Sequence, residues 1–174
     1  VEEVLRSDNA ADLASMSEYY FDRSDWEHAR MFYQRLEQVQ HSPITLQRLY
    51  LISEKSGRPL DTRAFYQVNS FEELILHADF FYMKKQWATA RDLYEKAEPL
   101  QASARCLNQL HRLADTLHLP FDLARYNHLD GRFSELYGAA DYLRQTGKNQ
   151  AVAKQLHEKA LSLQYDPYLI QHLY

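Results

Sequence analysis

One cysteine, four glycines and five prolines are spread over 174 residues, and these scarcities set the first limits. A lone thiol, Cys106, closes no internal disulfide and makes no Cys-x-x-Cys pair, so it fits a reducing compartment and tolerates an oxidising one. Four glycines supply neither the tight turns of an all-β fold nor the loops that cradle phosphates, and Walker-type, Rossmann and G-x-S-x-G patterns are all missing. No apolar run approaches the roughly 18 residues of a membrane-spanning helix, and no secretory signal pattern opens the chain. With 20 Lys and Arg against 24 Asp and Glu, a net charge of -4 and no basic stripe, the chain is not built to neutralise a phosphate backbone, which argues against nucleic acid as a partner.

What is abundant is Leu, Ala, Gln, Glu and Arg, a composition that favours helix. The chain also repeats itself. A shift of 61 residues lays Trp26 on Trp87, Leu13 on Leu74, Ala29 on Ala90, Arg30 on Arg91 and Tyr33 on Tyr94 without a gap. The register continues through Leu46 on Leu107, Leu49 on Leu110, Pro59 on Pro120 and Asp61 on Asp122. A third copy begins near Ser134, where Glu135-Leu136 and Ala140-Asp141-Tyr142 echo Glu73-Leu74 and Ala78-Asp79-Phe80, and it takes one inserted residue before Ala153.

Start and stop signals divide each unit into two helical hairpins. Ser24-Asp25-Trp26-Glu27 and Ser70-Phe71-Glu72-Glu73 have capping-box spacing, and Ser42-Pro43 and Asp166-Pro167 set a capping side chain before a proline at the first helical position. Pro59 and Pro120 read as further helix starts, and Gly57 and Gly147 as left-handed helix ends. The expected helices are 9–23, 25–39, 43–56, 59–67, 71–84, 87–98, 102–117, 120–127, 132–145, 150–164 and a last one starting at 167. Val1 in place of Met, and a last helix about two turns long, point to a longer repeat array.

Within the better hairpin of each unit the spacing is Leu74, Ala78, Phe81, Ala90, Tyr94 and Ala97, or Leu13, Ser17, Tyr20, Ala29, Tyr33 and Leu36 in the first copy. A small residue on each helix permits close approach, and the aromatic beside it fills the gap. These patterns resemble the tetratricopeptide repeat. The resemblance implies an all-α fold, a right-handed solenoid of helical hairpins running through residues 1–174. Its strong repeats fall at about 10–39, 71–99 and 133–164, and its degenerate hairpins at about 43–67 and 102–127. In the third copy His157 stands at the aromatic position.

Chemistry-bearing residues are sparse in pattern. His28, His41, His77, His111, His118, His128, His157 and His172 form no HExxH or other ligand pair, and Cys106 sits on a helix as an apolar filler. No metal, cofactor or catalytic residue is therefore expected. Tyr20, Tyr33, Phe81 and Tyr94 are expected in the core, with Trp26 and Trp87 sealing hairpin turns.

In the resembled family the first helix of each hairpin lines a concave groove. That face carries Ala14, Glu18, Phe21 and Asp22, then Ile75, Asp79, Tyr82 and Met83, then Tyr137, Asp141, Arg144 and Gln145. The hairpin 102–117 adds Arg105, Arg112 and Asp115. The partner-binding set expected from this is Glu18, Asp22, Asp79, Tyr82, Met83, Arg112, Asp115, Asp141 and Arg144. Glu18, Asp79 and Asp141 match in position and would form an acidic row, where chaperone-binding relatives place Lys and Asn to clamp a terminal carboxylate. The implied function is a non-catalytic scaffold that holds a protein or peptide through the concave groove or exposed helix faces, the acidic row favouring a cationic or hydrogen-bond-donating one. The alternative is a periplasmic scaffold of an envelope or exopolysaccharide export machine, touching polysaccharide through exposed Tyr and acidic groups. No insertion of this segment into a membrane is expected.

Overall fold

The computed structural model describes residues 2–129 and 132–164, and among them there are helices and turns but no strand. The chain divides into two compact units, Val1–Asn69 and Ser70–Tyr174. The first holds α1 (Glu2–Leu5), α2 (Ala10–Asp22), α3 (Trp26–Val39) and α4 (Pro43–Ser56), then a 3-10 turn at Thr62–Tyr66. The second holds α5 (Phe71–Met83), α6 (Trp87–Ala97), α7 (Ala104–Thr116), α8 (Phe133–Gln145) and α9 (Gln150–Gln164), with 3-10 turns at Glu98–Leu100 and Leu123–His128. The helix expected from 167, with His172, lies outside the described residues.

Within each unit the helices pack on their neighbours in sequence. α2 pairs with α3 and α3 with α4, while α5 pairs with α6, α6 with α7, α7 with α8 and α8 with α9. Helical spacing is what buries the seam. Leu13, Ala29, Tyr33 and Leu36 are buried in the first hairpin, Leu74, Ala78, Phe81, Ala90, Tyr94 and Ala97 in the second, and Leu136, Ala140, Leu143, Ala153 and Ala160 in the third. Ser17, fully buried, turns its hydroxyl back to the carbonyl of Leu13 at 2.7 Å, so the small position costs no lost hydrogen bond. Tyr20 is only half-buried, stacked between His28 at 4.8 Å and Phe32 at 5.5 Å. Trp26 and Trp87 do lie against the ends of the preceding helices, edge-on to Phe21 at 5.5 Å and to Tyr82 at 5.1 Å.

The helix ends repeat with the sequence. After α2 the chain turns through Ser24 at φ 59°, and after α5 through Lys85, also at φ 59°. Behind each, an amide reaches five residues back: Asp25 N–H to the Tyr20 carbonyl and Gln86 N–H to the Phe81 carbonyl, both 3.0 Å. Gly57 at φ 68° and His118 at φ 55° close α4 and α7 at matching positions. Of these four residues Gly57 alone takes the left-handed region without a Cβ penalty, as Gly147 does at φ 67° after α8. Ser24 therefore does not head a capping box; the cap of α3 is Asp25, which accepts the His28 N–H at 3.3 Å. Ser70 caps α5 as expected, accepting the Glu73 N–H at 3.4 Å. Ser42 makes no side-chain cap bond before Pro43.

The helices expected at 59–67 and 120–127 are corrected to short 3-10 turns. Pro59 and Pro120 stay outside them. Two residues on, Asp61 accepts the Arg63 N–H at 3.0 Å and Asp122 accepts the Ala124 N–H at 2.9 Å, local bonds that start a tight turn instead of an α-helix. The Arg63 guanidinium holds the Asp61 carboxyl down at about 2. Each turn drives one ring inward: Phe65, fully buried and edge-on to Tyr50, and Tyr126, fully buried with its hydroxyl donating to Asn108 Oδ1 at 3.0 Å. Ion pairs tie these segments to the second helix of the hairpin before them. Arg58 forks onto Glu27 at 3.0 and 3.2 Å, and Arg125 bonds both Glu95 and Glu98.

Two outcomes follow for stability measured by chemical denaturation. Phe65→Ala empties a fully buried site and lowers stability by about 3–5 kcal/mol. Lys85→Gly relieves a left-handed residue and raises stability by about 0.5–1 kcal/mol, whereas Lys85→Ala does not.

Candidate interaction surface on helices α7 and α8

The acidic positions do not stand open as a row. Glu18 accepts the Tyr33 hydroxyl at 2.6 Å and an Arg48 nitrogen at 3.3 Å. Asp79 accepts the Tyr94 hydroxyl and Arg105. Burial first, and the adjoining carboxylate second, raise both tyrosine hydroxyls above the ordinary tyrosine range, so each stays a proton donor to its acid. In the third hairpin His157 replaces the tyrosine and packs on Tyr137 at 5.3 Å, and Asp141 turns within its own helix to Arg144 at 2.8 Å and Gln145 at 2.5 Å. Asp115 is held by Lys148 at 2.6 Å. The carboxylates expected to attract a cation are engaged inside the protein.

The remaining expected positions scatter. Asp22 is exposed at the end of α2, and Glu18 belongs with it to the first unit. Met83 is 83% exposed, and Tyr82 lies half-buried on Trp87. Arg112, Asp115 and Tyr82 come together around the Tyr142 hydroxyl, Arg112 the most directly. Tyr142 was not in the expected set. It is 6% exposed, and burial raises its pKa while the Arg112 guanidinium beside its hydroxyl pulls it down. The Arg112 guanidinium lies over its ring, 5.0 Å from the centroid.

Beside this group a cleft of about 400 Å³ runs between α7 and α8. Its floor is Ala104 and Gly138, where a Cβ on the glycine would stand 3.9 Å from that of Ala104. Its walls are Arg105, Asn108, Gln109 and Arg112 from α7 and Ser134 and Glu135 from α8. Ser103 caps α7 at the cleft's end, accepting the Cys106 N–H at 3.4 Å, and Glu135 accepts the N–H of Ala104. Gln109 has its Oε1 buried without a partner among the described residues. Polar residues at 105, 108, 109 and 112, two turns of one helix face, were the sequence signal that could have located the cleft.

Behind the cleft the chemistry is inert. Cys106 is fully buried with its thiol against the Tyr94 carbonyl at 3.5 Å, and burial pushes its pKa up to about 12. His111, 5% exposed, stacks on Phe121 at 4.8 Å and meets Tyr142 edge-on at 5.7 Å. Its Nδ1 has no partner among the described residues, and burial lowers its pKa, opposed by Asp115 and aided by Lys148. Among the described residues no three His, Cys, Asp or Glu side chains gather to hold a metal, and no helix is long and apolar enough to cross a membrane. Compared with known proteins, the chain matches no protein-family model and no curated protein.

Two measurements test these environments. At pH 8, alkylation of Cys106 in the folded chain runs on the order of a thousandfold slower than in the unfolded chain, because almost none of it is thiolate. His111 titrates below 6.5 when folded, so its contribution to stability is intact above pH 6.5 and is withdrawn as the pH falls. Denaturation midpoints therefore drop as the pH falls below 6.5 in the wild type, and drop less in His111→Phe, which keeps the ring stack without the proton site.

Proposed function

We propose that the chain is a non-catalytic interaction scaffold of the tetratricopeptide kind, a right-handed stack of hairpins that docks a peptide or protein segment in the α7–α8 cleft. The recurrence of the hairpin in the sequence supports the architecture. So do the matched left-handed residues Ser24 and Lys85 and the matched tyrosine–acid bonds. The observation that carries the function is the cleft itself. It has a small-residue floor and a wall that holds the Gln109 Oε1 without a partner among the described residues, next to carboxylates that are engaged.

The test is site-specific photo-crosslinking in extract of the native host. A photoreactive residue at Gln109 yields a discrete adduct, and one at exposed Lys159 on α9 does not. Equal adducts from both positions, or none from either, count against the cleft.

A second reading, a scaffold that touches polysaccharide, is favoured by one feature. Phe133, Tyr137 and His157 form an exposed aromatic strip, stacked at 5.5 Å and 5.3 Å, beside a hollow of about 350 Å³ that also holds Asp141 and Arg144. Titration with chitosan oligomers separates the readings: heat that vanishes in Tyr137→Ala supports the sugar, and no heat at millimolar ligand dismisses it.

A further inference from the structure

Asp115 stands between two nitrogen bases that belong to different surroundings. Lys148, in the turn that joins α8 to α9, bonds it at 2.6 Å, and both side chains are about half exposed. One helical turn before Asp115 on α7 is His111, at the i,i+4 spacing that brings two side chains of a helix together. The same spacing pairs His41 with Glu37 and His77 with Glu73 in this chain. Unlike Lys148, His111 is closed off from water. It is 5% exposed, stacked on Phe121 at 4.8 Å and edge-on to Tyr142 at 5.7 Å, and its Nδ1 has no partner among the described residues. Asp115 favours a proton on the imidazole and Lys148 opposes it. Around them, α7 also brings Arg112, turned over the ring of Tyr142 from α8. The segment after α7 brings Phe121, with Arg125 5.4 Å from its ring centre and already held by Glu95 and Glu98.

We propose that Asp115 is a two-position latch, held by Lys148 while His111 is neutral and drawn back one helical turn to His111 when the imidazole takes a proton, so that acid unties the α8–α9 turn from α7. The two ends compete unequally. Lys148 returns to water when it loses the carboxylate, because its side chain is already half exposed. An imidazolium closed between Phe121 and Tyr142 has no such recourse, and a charge kept from water needs an opposite charge beside it. The exchange gives up an exposed ion pair, which water screens, for one in a site where the field is screened less. Burial makes the imidazole a reluctant base, so the exchange falls on the acid side of pH 6.5. What is released is the turn through Gly147, Lys148 and Asn149, with φ of 67° at Gly147 and 57° at Asn149. Its neighbours bond back into α8, the Thr146 hydroxyl to the Leu143 carbonyl and the Gln150 amide to the Arg144 carbonyl, whereas Lys148 reaches across to α7.

The experiment is a double-mutant cycle on Asp115→Asn and Lys148→Gln, read by urea denaturation of the whole chain. It is run at pH 7.5 and again at the pH where the NMR signal of the His111 ring, assigned by its loss in His111→Phe, shows the imidazole charged in the folded protein. At pH 7.5 the two residues are expected to be coupled by about twofold to fivefold in the unfolding constant. Once His111 is charged that coupling vanishes, and one of similar size appears between Asp115→Asn and His111→Phe. In a His111→Phe background the coupling of Asp115 to Lys148 survives the same drop in pH. A coupling that persists after His111 has charged overturns the latch, because a carboxylate still on Lys148 has not moved. Loss of the coupling in His111→Phe as well overturns it too, since some other group is then the one titrating. So does the absence of coupling at pH 7.5, or a His111 ring that stays neutral until the chain unfolds.

Discussion

Burying a tyrosine on the second helix of a hairpin obliges the first helix to answer its hydroxyl, and much of the rest follows from that obligation. Tyr33 and Tyr94 are 2% and 0% exposed, so an unanswered O–H there would cost about 1–3 kcal/mol. The acids Glu18 and Asp79 meet it, and each draws in an arginine from the following helix, Arg48 or Arg105. The arginines come from different turns of α4 and α7, yet they reach the same kind of carboxylate. Hairpin, acid and next helix are thus locked by one polar junction inside an otherwise apolar seam, and the sign of the exposed surface is decided there.

Much of the fold could be read from residue spacing because helical packing imposes a period that single residues reveal. Leu74, Ala78, Phe81, Ala90 and Tyr94 are all buried, and their counterparts 61 residues earlier are buried too, except half-exposed Tyr20. The 3-10 turns were not legible, since Pro59-Leu60-Asp61 and Pro120-Phe121-Asp122 carry the same residue types as a helix start. What differs is that the aspartate bonds an amide two residues ahead, a choice made by geometry and not by composition.

The site was legible in part for a similar reason. Spacing along α2, α5 and α8 correctly places Glu18, Asp79 and Asp141 on equivalent positions, but a bond such as Tyr94 to Asp79 joins two helices and leaves no mark on either one's periodicity. Arg112, Asp115 and Tyr82 were picked out singly, and only packing shows that they share Tyr142 as a neighbour. Tyr142 itself echoes half-buried Phe80 of the preceding copy, so nothing in its own spacing marks it as the ring that the Arg112 guanidinium covers.

The exchange of tyrosine for His157 in the last described hairpin has a mechanical meaning. The hairpins α2–α3 and α5–α6 are each cross-braced by a hydroxyl–carboxylate bond that resists sliding of one helix past the other. Between α8 and α9 that brace is gone: Asp141 is tied within α8, and the shared surface is aliphatic contact, the tilted rings of Tyr137 and His157, and one bond from the Gln150 amide to the Arg144 carbonyl near the turn. Apolar contact resists separation but tolerates shear, because a slipped methyl finds another methyl. The α8–α9 pair is therefore the compliant joint of its unit, the place where strain from a load on the α7–α8 cleft would be relaxed first.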